Sequence, residues 1–172
     1  LTRWQSLARE AAERPAPAAE GFSVDGTGIA FRWDWEETCN AAAVHVEDLL
    51  AAGDPPELAR VVDGGDWLHD WAGAIAVAPP GGRAPEENPR ALEGGWQRWQ
   101  RLRYLLLVCR RVQAEQGGFH GTAWLVDLEG PRWLGAVTFG TDVEGSRIDV
   151  EVAAEVDLEQ KLAQHLPEAE PP

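Results

Sequence analysis

The chain contains no methionine and a single lysine, Lys161, so almost all of its positive charge is carried by arginine. With Leu at position 1 and no Met anywhere, it reads as a fragment or a processed product. Cysteine occurs only twice, and Cys39 and Cys109 both fall in apolar patterns with helical spacing. A free thiol buries like a small hydrophobe, so two reduced core cysteines are expected and a disulfide framework is not. Long hydrophobic runs are lacking as well. The longest, Tyr104 to Cys109, is far short of the roughly 20 residues of a membrane span, and no charged-then-apolar signal segment opens the chain. A soluble, cytoplasmic protein with no membrane partner is expected. Bases are outnumbered, 15 against 29 acids, and the net charge of -14 repels phosphate backbones. Direct nucleic-acid binding is not expected.

What the chain has in quantity is Ala, Gly, Pro, Arg and tryptophan, the last at nine positions, with Ile and Asn scarce. That balance is what a GC-rich genome would produce, and selection for acidity in high salt is the alternative reading of the same composition. With 172 residues and 44% apolar content there is material for one core, so 1–172 reads as a single α+β domain. No internal repeat is visible.

Along the chain the hydrophobic period changes several times. Leu1, Trp4, Leu7, Ala8 and Ala11 have helical spacing, stopped by Arg14–Pro15–Ala16–Pro17. Phe22 and Val24, the turn Asp25–Gly26, and then Ile29, Phe31, Trp33 and Trp35 alternate with a period of two, which predicts an N-terminal hairpin with an aromatic buried face. Cys39, Ala42, Ala43, Val46, Leu49 and Leu50 predict a helix over 38–52 that ends at Gly53. Further helix starts are expected at Asp54 and Asp66, while 72–78 is compatible with helix or strand. The prolines and glycines of 79–95 predict a flexible loop.

Trp96 to Gln116 then reads as a central helix, apolar around its whole circumference from Tyr104 to Cys109 and therefore buried on all sides. The β-rich runs 119–128, 132–141 and 146–153 predict a C-terminal three-stranded meander. Asp157 and Gln160 suit the start of a last helix, and 167–172 a polar tail. The expected fold is thus an antiparallel sheet, hairpin plus meander, packed against a buried central helix and several shorter helices.

Two constellations stand out. Arg98, Arg101, Arg103, Arg110 and Arg111 gather on the central segment with no acid between Gly94 and Ala114. On one helix, Trp96, Trp99, Arg103 and Arg110 would share a sector, guanidinium groups flanking indoles, and would grip an anion or an acidic peptide. The competing reading is that these arginines pair internally with acids. Trp67 and Trp71, with Trp96 and Trp99, lie at element ends beside the Pro/Gly loop and are equally suited to an interface or a core. The second constellation, Asp63, Asp66, His69 and Asp70, has permissive metal-ligand spacing, but helix capping by Asp66 explains the same letters, so no metal is expected. His45, His120 and His165 each suit a surface or helix-end role.

No phosphate-binding glycine loop, dinucleotide fingerprint or nucleophile elbow is present, and Gly26–Thr27–Gly28 falls in a hairpin turn. No catalytic residue and no cofactor is therefore expected. The expectation is a non-enzymatic protein-binding protein of bacterial type, an inhibitor, immunity factor, chaperone or assembly subunit, whose partner is another protein, basic in character. Two alternatives are a small-molecule or anion binder, or enzyme, built on the Arg/Trp or Asp/His cluster, and an acidic nucleic-acid mimic. The charge balance makes one prediction at once. Fluorescence anisotropy with duplex DNA at about 0.15 M salt should show no saturable binding, because few cations are available to release counterions.

Overall fold

The computed structural model describes residues 2–22, 40–51, 89–112, 119–141 and 147–166. Helix α1 (Thr2–Glu13) is followed by strands β1 (Gly21–Phe22) and β2 (Ala41–His45), helices α2 (Val46–Ala51) and α3 (Pro89–Arg101), strands β3 (Tyr104–Val112), β4 (Phe119–Asp127) and β5 (Arg132–Thr141), and helix α4 (Arg147–His165). The fold is mixed α+β. The strands form one sheet in the order β1-β5-β4-β3-β2, antiparallel throughout except that β2 and β3 are parallel. Among the described residues no helix is long and apolar enough to cross a membrane.

Tyr104 to Cys109 is a strand and not the centre of a helix. An unbroken apolar run fits a helix buried all round and a strand buried on both faces equally well, and pairing decides between them. Here β2 lies on one side of β3, with Ala41 opposite Tyr104 and His45 opposite Val108, and β4 on the other, from Tyr104 opposite Asp127 to Val112 opposite Phe119. Leu105, Leu107 and Cys109 enter one core with Trp4, Leu7, Ala8 and Leu49, while Tyr104, Leu106 and Val108 enter a second with Ala154, Leu162 and Leu166. The sheet is thus covered by α1 and α2 on one face and by α4 on the other.

Other expectations shift with this one. The expected helix over 38–52 is β2 followed by the short α2, since Ala41 to Val44 suit a strand whose small side chains let helices approach closely. The helix expected from Trp96 instead begins at Pro89, inside the expected loop, where proline's missing N–H costs nothing in the first turn. It ends with Leu102 N–H donating to the Trp99 carbonyl. Of the expected strand 146–153, residues 147–153 are instead the first turns of α4, because Ile148, Val152 and Val156 fit one-turn helical spacing as well as Ile148, Val150 and Val152 fit strand alternation. Asp157 consequently sits inside α4, where its carboxylate accepts the Gly140 N–H at 2.9 Å. The meander exists, but its strands are β3, β4 and β5.

The expected N-terminal helix is α1. Of the expected hairpin only Phe22 is described, and with Gly21 it forms the edge strand on β5. Its remainder, the helices expected after Asp54 and Asp66, residues 72–78, the 79–88 part of the loop, Cys39 and the tail 167–172 lie outside the described residues.

A bulge sets which residues of β5 face which core. Register passes from Leu125 opposite Gly135 to Val126 opposite Trp133, leaving Leu134 as the extra residue. Trp133 and Ala136, three apart, therefore meet the α1 side together, and Leu134 and Val137 meet the α4 side. Gly135 has φ of +140°, and a Cβ there would collide with the Gly21 carbonyl oxygen, so β1 approaches at this point only because position 135 has no side chain.

Helix α4 is tied to the segment before β1, at this same edge of the sheet, by the chain's sole lysine. Glu20 accepts from Lys161 Nζ at 2.9 Å and from the Thr138 hydroxyl and N–H. The Thr138 hydroxyl first, and Lys161 second, hold the Glu20 carboxyl below its ordinary pKa of 4.5, and Glu20 raises Lys161 above 10.5. The carboxylate's contribution is complete above 4.5 and is lost as pH falls through its lower native value, while the ammonium's is lost only as pH rises past 10.5. Glu20→Gln is therefore expected to lower the melting temperature at pH 7, with the difference from wild type closing as pH drops below 4.5. Thermal melts of both proteins across the acid range check it.

Candidate functional site: the tryptophan cluster and its arginines

The sheet face under α1 collects four of the nine tryptophans. Trp4 comes from α1, Trp99 from α3, Trp124 from β4 and Trp133 from β5. The helical spacing of α1 turns Trp4, Leu7, Ala8 and Ala11 inward, and Trp4 meets Trp99 with ring centroids 5.5 Å apart. Trp124 and Trp133 stand on adjacent strands across the Glu129–Gly130–Pro131 turn and pack edge to face at 5.9 Å and 88°, the arrangement that aromatic quadrupoles favour. The bulge at Leu134 gives Trp133 its place on this face.

Arginines close the cluster. The Arg14 guanidinium lies 4.0 Å from the Trp133 ring centre and 5.6 Å from that of Trp124, and Glu10, one turn earlier, pairs with it. Its backbone N–H donates to the Glu10 and Ala11 carbonyls, so the last turn of α1 aims the side chain at the indoles. Arg3 donates to the Leu128 carbonyl at 3.0 Å and ties the start of α1 to the β4–β5 turn.

Arg103 sits between α3 and β3. Its N–H donates to the Asn40 carbonyl and its carbonyl accepts from Leu128, so its backbone joins three segments. Its guanidinium donates to Asp127 at 3.3 Å and lies 3.5 Å from Glu129. Asp127 also accepts the Glu129 N–H at 3.0 Å, a side chain holding its own turn two residues on. Hydrogen bonding to Asp127 raises the Arg103 pKa, keeping it charged, and burial raises that of the Tyr104 hydroxyl despite the neighbouring guanidinium.

The stripe expected of one helix is therefore divided. Trp96 and Trp99 belong to α3, Arg103 to the turn after it, and Arg110 to β3 opposite Gly121. Six residues of strand, Tyr104 to Cys109, separate Arg110 from Arg103, on the order of 20 Å. The reason is the same as for the fold: a period of 3.6 that groups these four holds only while the backbone stays helical. Trp99 is half-buried against Trp4, whereas Trp96 is 53% exposed. Arg98 is half-buried and Arg101 exposed on α3, and Trp67, Trp71, Asp63, Asp66, His69 and Asp70 lie outside the described residues. Sequence reasoning overlooked Trp4, Trp124, Trp133 and Arg14 as a group. Trp124 and Trp133 flanking a turn were a legible signal of cross-strand packing. Nothing local connected Arg14 to either.

Chemically, the cluster is a cation–π and aromatic joint between α1, α3 and the sheet, and among the described tryptophans Trp96 alone lies outside it. Arg103→Ala is expected to cost about 1–2 kcal/mol of folding stability, below the ~3 kcal/mol of a fully buried pair, because its side chain is 41% exposed while that of Asp127 is 8% exposed. Denaturant titration measures it, and an unchanged midpoint would remove the pairing from the account of stability.

No protein-family model, no curated protein and no solved structure matches the chain, so no activity, ligand or partner is carried over to it from a relative.

Proposed function

We propose that the chain is a non-enzymatic protein-binding protein that recognises another protein through the outer side of α3, with Trp96 as its anchor. The observation that carries this reading is the 53% exposure of Trp96, a side chain whose burial against a partner is among the largest single gains available to an interface. Its neighbours on α3, Glu93, Gln97, Gln100 and Arg101, are exposed and polar. An aromatic centre with a polar surround is the arrangement in which interface hot spots occur. Trp99, packed against Trp4, holds the helix from beneath.

Anion or small-molecule recognition by the arginine–tryptophan cluster has less support. Arg14 is engaged by Glu10 and two indoles, and Arg103 by Asp127 and Glu129. The net charge of -14 favours a basic partner through long-range attraction.

The test uses the chain as bait, identifies the retained protein by mass spectrometry, and titrates that protein against wild type and Trp96→Ala. Loss of about 2 kcal/mol in affinity, about 30-fold, with an unchanged melting temperature is expected. Retention of no protein, or equal affinity of the variant, would overturn the reading.

A further inference from the structure

A strand at the edge of a sheet turns every second residue's N–H and carbonyl outward, a template on which another strand can pair. Among the described residues, β1 covers the outer side of β5 only at Gly135 and Ala136. Beyond that point β5 runs on to Thr141, its inner side still paired with β4 as far as Thr141 opposite Phe119. Thr138 and Gly140, two apart, direct their N–H groups to the outer side. Side chains take both donors where a further strand would otherwise do so. The Thr138 N–H donates to Glu20 Oε1 at 3.3 Å, and the Gly140 N–H donates to Asp157 Oδ2 at 2.9 Å.

The two carboxylates come from separate parts of the chain, Glu20 from the segment before β1 and Asp157 from the interior of α4. Lys161, one turn after Asp157, holds Glu20 through its other oxygen, Oε2, at 2.9 Å. The Thr138 hydroxyl donates to Glu20 as well. Helix formation does not call for an aspartate at position 157, since Asp is a weaker helix former than Ala, Glu or Gln. Its return is the strand N–H. Water would satisfy an outward N–H equally well, but a carboxylate also sets negative charge where the carbonyl oxygen of an incoming strand would have to lie.

We propose that Glu20 and Asp157 form an autoinhibitory cap on the outer edge of β5, and that what the cap excludes is a second copy of the chain pairing β5 against β5. The register selects this occupant. The two outward donors flank Phe139, so a two-fold axis at Phe139 sets Thr138 of one copy opposite Gly140 of the other, each pair exchanging both backbone hydrogen bonds. In that register 137–141 of one copy lies along 137–141 of the other, clear of β1, whose pairing ends at Ala136. The edge is self-complementary, and the caps stand on the donors that the pairing would use. The inference is independent of the Trp96 surface.

The experiment is sedimentation velocity of the full chain at pH 7 and about 0.5 M salt, where repulsion between copies is screened within a few ångströms. Wild type is expected to stay monomeric at concentrations where Glu20→Ala with Asp157→Ala dimerises, its self-association at least about tenfold stronger. Glu20→Gln with Asp157→Asn removes the same charge but keeps an oxygen acceptor for each N–H, and should stay monomeric. Adding Thr138→Pro to the alanine pair deletes one outward donor without touching the β4 ladder, and should restore the monomer. Amide exchange supplies a second readout. The Thr138 and Gly140 amides should be protected in wild type, and Asp157→Ala alone should strip protection from Gly140, which decides the matter should the alanine pair fail to fold. Trp96→Ala should change none of these readouts. An alanine pair as monomeric as wild type, an amide pair that dimerises equally, or a dimer that survives Thr138→Pro would overturn the proposal. So would unprotected Thr138 and Gly140 amides in wild type, since the edge would then carry no cap.

Discussion

The structure depends on burying β3 from both sides. Tyr104, Leu105, Leu106, Leu107, Val108 and Cys109 are each buried, alternately in the core under α1 and the core under α4. Leu105, Leu106 and Leu107 are wholly inaccessible, and each such side chain contributes about 1.5–3 kcal/mol relative to exposure. A strand of this kind needs a cover on each face and a neighbour on each edge. It acquires β2 and β4 at its edges, α1 and α2 above one face, and α4 above the other. Because β2 runs parallel to it, the chain between them must cross from one end of the sheet to the other, and α2 and α3 lie on that crossover.

Cations in this acidic chain work as fasteners where elements meet. Arg14 joins α1 to the indoles of β4 and β5, Arg3 joins it to the turn between those strands, Arg103 joins the end of α3 to the end of β4, and Lys161 joins α4 to the segment before β1. Arg103 and Lys161 meet carboxylates, Arg3 a carbonyl, and Arg14 two indole rings together with Glu10. Beside these junctions, α3 keeps arginine near the exposed indole of Trp96. The two faces of the sheet thus meet cores of different character, one with four tryptophans and one without a described tryptophan.

The parts of the fold that were readable in advance are those whose local pattern has one solution. Helix α1 is bounded by prolines and has a clean 3.6-residue stripe. The strands 119–127 and 132–141 flank a Glu–Gly–Pro turn that admits little else. Of the candidate site, Trp96 and Trp99 were legible as a pair on a helix, and Arg103 as an arginine with a structural alternative. The cluster they belong to was not, since Trp4, Trp124 and Trp133 come from three elements that meet only in the folded chain.

Composition by itself determined an acidic chain with one lysine, surplus tryptophan and enough apolar residues for a packed α+β core. It did not determine whether Tyr104 to Cys109, Ala41 to Val44 or 147–153 would be helix or strand. Uniform apolar runs and short alanine stretches satisfy both backbones, and the alternation of Ile148, Val150 and Val152 coexists with the one-turn spacing of Ile148, Val152 and Val156. Tertiary structure decided these cases by hydrogen-bond pairing and by cover. β3 found strands on both edges, β2 found the free edge of β3, and the residues after 147 became helical above a sheet face already filled by Leu106, Leu125 and Val137. That decision also placed Arg103 on Asp127, left Trp96, Val152 and Val156 at the surface, and separated Arg103 from Arg110, because side-chain direction follows backbone period and the period is settled only when the neighbours arrive.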